Sequence, residues 1–239
     1  MQNQAERDTM SDDARQGRRP ARLSHVMFHR YTMGERLADR ISHIVGLAGS
    51  ILGLVFLILI ASDYGSARVV TSFTIYGSAL VISYLVSALY HDLRSNRIKA
   101  AFRVFDHASI YVLIAATYTP VALVGLGGAW GWSLFGIEWG IAAFGIALKL
   151  IYPGRYEGLS IVLYLTLGWA GIVALGRLIM DVPWPGLVLM GIGGVFFTAG
   201  VYFHARTRFR YHNVVWHGFV LAGAASHVCM MLFYIRPSS

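Results

Sequence analysis

The sequence predicts an all-α integral membrane protein, a bundle of seven transmembrane helices. Of its 239 residues, 56% are hydrophobic and only 13% are charged, whereas soluble domains are about 45–50% apolar and about 25% charged. Seven apolar runs follow one another, each of about 19–24 residues, which suits a hydrocarbon core of about 30 Å at 1.5 Å per residue. These runs are too long and too many to be a secretory signal.

The predicted spans follow a polar N-terminal segment. Residues 1–35 are rich in arginine and are expected to form a flexible cytoplasmic tail, while residues 36–239 form the transmembrane domain. Pro120 is expected to kink the third span. The seven predicted spans cover residues 41–61, 70–91, 107–126, 132–151, 159–180, 186–204 and 212–235.

The basic residues predict the orientation. Of the 20 Lys and Arg residues, 17 fall in the N-terminal segment or in loops on the same side of the bundle. The positive-inside rule then places the N-terminus in the cytoplasm and the C-terminus outside, which requires an odd number of spans. The net charge of +8 is explained by this topology, so it does not imply a nucleic-acid partner. The single cysteine, Cys229, excludes both a disulfide framework and a cysteine-based metal site.

The segment from Ser87 to His107 carries the clearest functional signal. Ser87 and His91 are four residues apart and share one face at the end of the second span, and Asp106 opens the third span. Ionisable groups at a membrane boundary are costly unless they have partners or a task. These residues therefore form a candidate site, with helix capping in headgroup water as the alternative.

The histidines are placed on one side of the predicted bundle. Only His227 lies deeper in a span, and the outward ends carry none. Neutral imidazoles gathered in one layer are typical of a zinc site, whereas an interfacial preference of histidine would act at both faces. From spacing alone, both interpretations stay open. The histidines at the predicted cytoplasmic ends are His43, His91, His107, His204, His212 and His217.

Four segments together resemble a known family. SALYHD, FDHASIYVLIAATYTP, GWSLFGIEWG and YHNVVWHGFVLAGAASH are similar to the haemolysin III family, which belongs with the progestin and adipoQ receptors in a superfamily that includes the alkaline ceramidases. The resemblance runs from about Glu35 to about Tyr234. It implies a seven-helix bundle with a Zn²⁺ site near the cytoplasmic face and a location in the bacterial inner membrane.

The resemblance also assigns roles to individual residues. His91 matches the zinc ligand of the second helix, and His217 matches the second histidine of a His-x3-His pair on the seventh. Asp106 matches an aspartate that holds a zinc-bound water. The Ser42-His43 pair resembles the family's entry to the first helix, although Asp39 stands where an asparagine is common.

This chain departs from the family at the first histidine of that pair. Asn213 occupies its position, and His212 is the neighbouring candidate for the third ligand. Five residues separate His212 from His217, so on a regular helix the two rings would point about 140° apart. Both could reach one ion if the seventh helix began only after Asn213. Further alternatives for the third ligand are His43, His107 and His204.

Two functions follow from such a site. Three neutral nitrogens leave a fourth zinc position open for water, as in catalytic sites. Asp106 could accept the proton of that water, and Ser87 could donate a hydrogen bond to a developing oxyanion. In the membrane, the expected substrate is a lipid amide or ester, ceramide-like. Alternatively, a structural zinc would tie the helices together in a non-enzymatic receptor or a pore-forming protein.

Overall fold

The computed structural model describes residues 32–93, 95–205 and 210–237, and seven helical segments within them are long and apolar enough to cross a membrane. This confirms the predicted seven-span helical class. The described residues contain no strand. The spans cover Met33–Asp63, Ala67–Asp92, Arg97–Leu126, Gly128–Ile151, Glu157–Asp181, Trp184–Ala205 and His212–Tyr234.

Two of the spans change helix type within the membrane. The third is an α-helix over Asn96–Pro120 that continues as a π-helix over Val121–Leu126. Pro120 lacks an N–H and cannot make the ordinary helical hydrogen bond, so the regular helix ends there. The fifth span consists of an α-helix over Glu157–Gly168, a 3₁₀ turn over Ala170–Ala174 and an α-helix over Leu175–Asp181.

The spans pack mainly against their neighbours in the chain. The first four pack in sequence, the sixth packs on the seventh, and the seventh returns to the first. The third span is the most buried of the seven. Glycine allows one close approach near the candidate site, because a Cβ on Gly46 of the first span would lie 2.2 Å from the ring of Tyr84 on the second.

The first span begins earlier than predicted. It starts at Met33 rather than near residue 41, so the polar stretch before the apolar run is already helical. The seventh span begins at His212, directly after Tyr211 in the left-handed region, and not after Asn213. Residues 1–31 of the predicted tail lie outside the described residues. The orientation of the two termini stays a prediction.

Candidate metal centre

Three histidines from three spans meet at one end of the bundle. His43 lies on the first span, His91 at the end of the second and His217 near the start of the seventh. Their ring centroids are 4.2 Å apart for His43 and His217, 5.0 Å for His43 and His91, and 5.3 Å for His91 and His217. One nitrogen from each ring lies within 4.8 Å of the other two. These three residues are called the histidine triad below.

Asp39 orients two of the three rings. Its Oδ1 accepts a hydrogen bond from Nδ1 of His217 at 3.0 Å, and its Oδ2 accepts one from Nδ1 of His91 at 2.8 Å. Because a carboxylate accepts and cannot donate, both rings carry their proton on Nδ1. The Nε2 lone pair of each ring is then available to a ligand.

The third ring is oriented by the backbone of the same residue. Nδ1 of His43 donates to the carbonyl oxygen of Asp39 at 2.7 Å, so Nε2 of His43 is its acceptor nitrogen. Ser87 lies 3.2 Å from that Nε2 through its Oγ, which donates the hydrogen bond. All three rings thus present the same nitrogen, and each has its other nitrogen held by Asp39.

Helical spacing explains why these groups share one place. Asp39 and His43 are four residues apart on the first span, and Ser87 and His91 are four apart on the second, so each pair lies on one face of its helix. His217 comes from the seventh span, far along the chain from the first two spans. Glu35 of the first span holds the start of the seventh span in place, since its buried carboxylate accepts the backbone N–H of Tyr211 at 3.1 Å.

The structure brings together some of the predicted site residues and not others. His91 and His217 lie in the triad, and Ser87 contacts it through His43. His212 is buried but is not a member of the triad, whose third position is taken by His43. The cause is the helix start: since His212 is already helical, it points away from the face that carries His217.

Asp106 belongs to an adjoining set of ionisable side chains. It is outside the triad, and its Oδ2 lies 3.8 Å from Nδ1 of His107. Asp106, His107 and His212 all act electrostatically on His204, which is in turn within electrostatic range of His217. Asp106, the predicted base, therefore interacts with His204, which in turn interacts with His217 of the triad. Asp106 is not itself part of the group formed by the three rings.

Two members of the site were not assigned by sequence reasoning. His43 was only an alternative ligand, and Asp39 was noted as a departure from the family without any role. The signal that could have found them is the Asp-x3-His spacing, which repeats the Ser-x3-His spacing of the second span. Hydropathy does not reveal this spacing, because the stretch before residue 41 is polar although it is helical.

A metal ion fits this set of donors. Neutral imidazole nitrogens suit Zn²⁺ and other first-row divalent metals. A ligating histidine commonly donates its other N–H to a carboxylate or a backbone carbonyl, which fixes the tautomer and raises the basicity of the ligand. Asp39 supplies both kinds of acceptor here, so the group could hold a metal ion.

Comparison with known proteins agrees with this geometry. The family model described as haemolysin-III related matches residues 31–228, which include the whole triad and Asp39. The chain belongs to the haemolysin III family.

Its haemolysin III relatives match over nearly their whole length. The chain is 39% identical over 204 residues to "Hemolysin-3 homolog" of Bacillus subtilis (strain 168), covering 85% of this chain and 96% of that protein. It is 36% identical over 205 residues to "Hemolysin-3" of Bacillus cereus, covering 86% and 94%. A more distant relative is "Monocyte to macrophage differentiation factor" of Homo sapiens, 25% identical over 170 residues, covering 69% of this chain and 70% of that protein.

This haemolysin III protein also contains an apolar cavity of about 210 Å³. The third, fifth, sixth and seventh spans line it, and on the seventh span its wall runs from Trp216 to Met230. Fourteen residues of helix correspond to about 21 Å along the axis. Trp216 is next to His217 in the chain but about 100° from it around the helix, so one end of the cavity wall lies at the level of the triad along the seventh span, on a different face of that helix.

Proposed function

We propose that the protein is a zinc-dependent hydrolase acting on a lipid amide or ester, ceramide-like, at the triad end of the bundle. The observation that carries the proposal is the arrangement of three imidazoles whose Nδ1 atoms are all held by Asp39. Such a set leaves Nε2 as the acceptor nitrogen of each ring, and a metal ion would take the place of the Ser87 hydroxyl at that of His43. We place the protein in the inner membrane of a bacterium, with the triad towards the cytoplasm.

His43, His91 and His217 would hold the metal. Zinc on three neutral nitrogens is a Lewis acid that activates water and carbonyl groups at neutral pH. In a tetrahedral site with bonds of about 2.1 Å, two ligand nitrogens lie about 3.4 Å apart, and the triad nitrogens lie within 4.8 Å of one another. The rings would therefore move closer together on binding an ion.

The remaining polar groups of the site supply the acid and base chemistry. Ser87 is one turn from His91, and its hydroxyl can donate a hydrogen bond to the oxygen of a substrate carbonyl as negative charge develops there. One such donor contributes about 3–4 kcal/mol to transition-state stabilisation. Asp106 is the proton acceptor in this scheme, acting beside His107 and His204, and it returns the proton to the leaving amine or alcohol.

The cavity supports a lipid as the substrate. Its wall is formed largely by apolar and aromatic side chains such as Leu113, Phe197 and Val220, so it favours hydrocarbon over polar molecules. An alkyl chain in the cavity would place the attached headgroup at the triad end of the seventh span, because Trp216 in the cavity wall is at the level of His217 along that helix. This arrangement would hold the amide or ester bond towards the three histidines.

Metal analysis of purified variants tests the ligand set. We expect wild-type protein to contain stoichiometric zinc, and we expect His43→Ala, His91→Ala and His217→Ala each to lose it. His212→Ala is the matched control, since His212 is a buried histidine at the same end of the bundle but outside the triad. Loss of zinc in His212→Ala with retention in His43→Ala would contradict the proposed set.

Turnover of a panel of ceramides, lipid amides and lipid esters tests the reaction. Chelation should abolish turnover while the helical fold is kept, and added zinc should restore it. We expect Asp106→Ala to reduce turnover by at least about 100-fold, the contribution of a general base. Unchanged turnover in Asp106→Ala of every lipid that the protein accepts would remove Asp106 as the base.

Membrane lysis is the second candidate function, favoured by the name of the Bacillus cereus relative, "Hemolysin-3". In that case the metal would be structural and would tie the first, second and seventh spans together. Chelation should then lower the unfolding temperature, and the protein should release dye from lipid vesicles without any lipid turnover. Vesicles that stay sealed at all protein-to-lipid ratios would exclude this function.

A further inference from the structure

A glutamate lies near the middle of the fourth span. Glu138 is 10 residues from Gly128 and 13 from Ile151, the two ends of its helix. At 1.5 Å per residue these separations are about 15 Å and about 20 Å. Glu138 is therefore near the centre of the hydrocarbon layer, where ionisable side chains are rare and mark functional positions.

The carboxyl group of Glu138 is fully buried and unpartnered. Its exposed fraction is 0%, and neither Oε1 nor Oε2 has a hydrogen-bond partner among the described residues. This differs from Glu35, whose buried carboxylate accepts the N–H of Tyr211. Burying a carboxylate without a partner is far more costly than burying the neutral acid, so a carboxyl that is unpaired at this depth is expected to hold a proton.

From Gly131 to Gly145, the face that carries Glu138 is otherwise built of small or apolar residues, and Lys149 follows at its far end. Its other buried members are Gly131, Leu134, Ala142, Gly145 and Lys149. A Cβ on Gly131 would lie 2.1 Å from the carbonyl oxygen of Ala122, so the helix packs directly on the π-helical turn of the third span. π-turns within helices occur frequently at functional sites. Glu138 thus lies one to two turns from an irregular backbone segment.

One titratable group interacts electrostatically with Glu138 and also lines the cavity. This group is Tyr118 of the third span. The hydroxyl of Tyr118 donates to the carbonyl oxygen of Gly168 at 2.7 Å and accepts the N–H of Gly171 at 3.2 Å. These two bonds hold the cavity wall where the fifth span changes from α-helix to 3₁₀ turn.

The other titratable groups near the fourth span lie further along it. Tyr111 of the third span and Tyr164 of the fifth pack in the cluster around Ala142, one turn beyond Glu138. Lys149 is eleven residues from Glu138, about 16 Å along the helix, and is paired with Glu157 at 2.6 Å. Among the described residues, no charged side chain is available to neutralise an ionised Glu138.

We propose that Glu138 is a proton-binding site inside the membrane, and that its charge is coupled to the cavity through Tyr118. In the protonated form the carboxyl carries no charge and fits the apolar face. In the ionised form it requires a hydrogen-bond donor, and the Tyr118 hydroxyl is the titratable group that interacts electrostatically with it. That hydroxyl can donate to Glu138 only by giving up its bond to Gly168, which releases one wall of the cavity.

Infrared difference spectroscopy on the purified full chain in lipid vesicles tests proton binding. Spectra between about pH 5 and about pH 10, a range that brackets buried carboxyl groups in proteins, should show the carbonyl band of a protonated carboxylic acid that disappears at high pH. The band should shift in D₂O, because an exchanging proton is replaced by deuterium. A band that neither titrates nor shifts would overturn the proposal.

Two variants assign the band, one serves as the control and one tests the coupling. Glu138→Gln should lose the band and Glu138→Asp should move it, so the assignment does not depend on one variant folding. Glu35→Gln, the buried and partnered control, should keep it. Tyr118→Phe should shift the midpoint of the titration. A band retained in Glu138→Gln would refute the site, and an unchanged midpoint in Tyr118→Phe would refute the coupling.

This inference is independent of the proposed hydrolase. Zinc content measured in the same samples should be equal in wild type and Glu138→Gln, because Glu138 is not part of the triad. Loss of zinc in His217→Ala with an unchanged titrating band would keep the two proposals separate. Joint loss of band and zinc in His217→Ala, with the fold intact, would contradict an independent proton site.

Discussion

The backbone carbonyl of Asp39 accepts the Nδ1–H of His43 at 2.7 Å, while the side chain of Asp39 accepts N–H groups from two rings on other spans. One residue therefore sets the tautomer of all three histidines. Outer partners of this kind tune the affinity of a metal site without touching the ion.

Asp39→Asn should weaken zinc binding by about 10–100-fold, the usual cost of losing such a partner. The amide has one acceptor oxygen in place of two, so it cannot hold both His91 and His217 in the same tautomer. Competition with a fluorescent chelator measures the affinity. Asp92→Asn is the control, because Asp92 is an exposed carboxylate at the same end of the bundle and pairs with Arg40. Equal affinities in the two variants would contradict the role of Asp39.

Glu35→Ala should destabilise the protein by about 1–3 kcal/mol, because it removes the hydrogen bond that the half-buried Tyr211 N–H makes to a carboxylate. Glu35→Gln keeps an acceptor oxygen and should cost less. Thermal unfolding in detergent, followed by circular dichroism, compares the two. The interpretation fails if both variants unfold at the wild-type temperature.

Gly46→Ala should lower both stability and zinc affinity. The added Cβ would lie 2.2 Å from the ring of the buried Tyr84, so the first and second spans must move apart, and with them His43 and His91. Overpacking of this kind costs about 1–3 kcal/mol. Gly49→Ala is the matched control, since nothing lies within 4 Å of its added Cβ, and it should be neutral or stabilising by up to about 1 kcal/mol. Similar losses in both variants would contradict the packing argument.

The termini are expected on opposite sides of the membrane. A reporter that is active only outside the cytoplasm should be active when fused after Arg236, and inactive when fused before Met33. Deleting the arginines of the N-terminal segment should make the orientation mixed, because they carry much of the charge bias. Reporter activity at both fusion points of the intact chain would contradict the seven-span orientation.

Hydropathy was sufficient to predict the fold class. Seven runs of membrane-spanning length are a strong signal, because the hydrocarbon layer fixes the length and polarity of each span. The start of the first span was wrong by eight residues, since Glu35, Arg36, Asp39 and Arg40 lower the local hydropathy although they lie on the helix. Charged residues at a helix end can reach the interface or pair with one another, so polarity alone does not end a span.

The candidate site was only partly predictable for the same reason. His91 and His217 were found through the family resemblance, and the structure places both in the triad. The choice between His212 and His43 depended on where two helices begin, and helix ends are the least certain feature of a sequence-based prediction. Glu138 is visible in the sequence as a glutamate within the predicted span 132–151, but the sequence does not reveal whether its carboxyl has a partner.

The contact between Asp39 and His217 joins residues that are 178 positions apart. During synthesis, a ribosome-bound chain that has exposed only its first six spans possesses His43 and His91 but lacks the last ring. Binding of the proposed ion by all three rings would consequently wait for insertion of the final helix. Zinc loading would then report that membrane assembly is complete, and nascent chains would be spared from binding the metal prematurely.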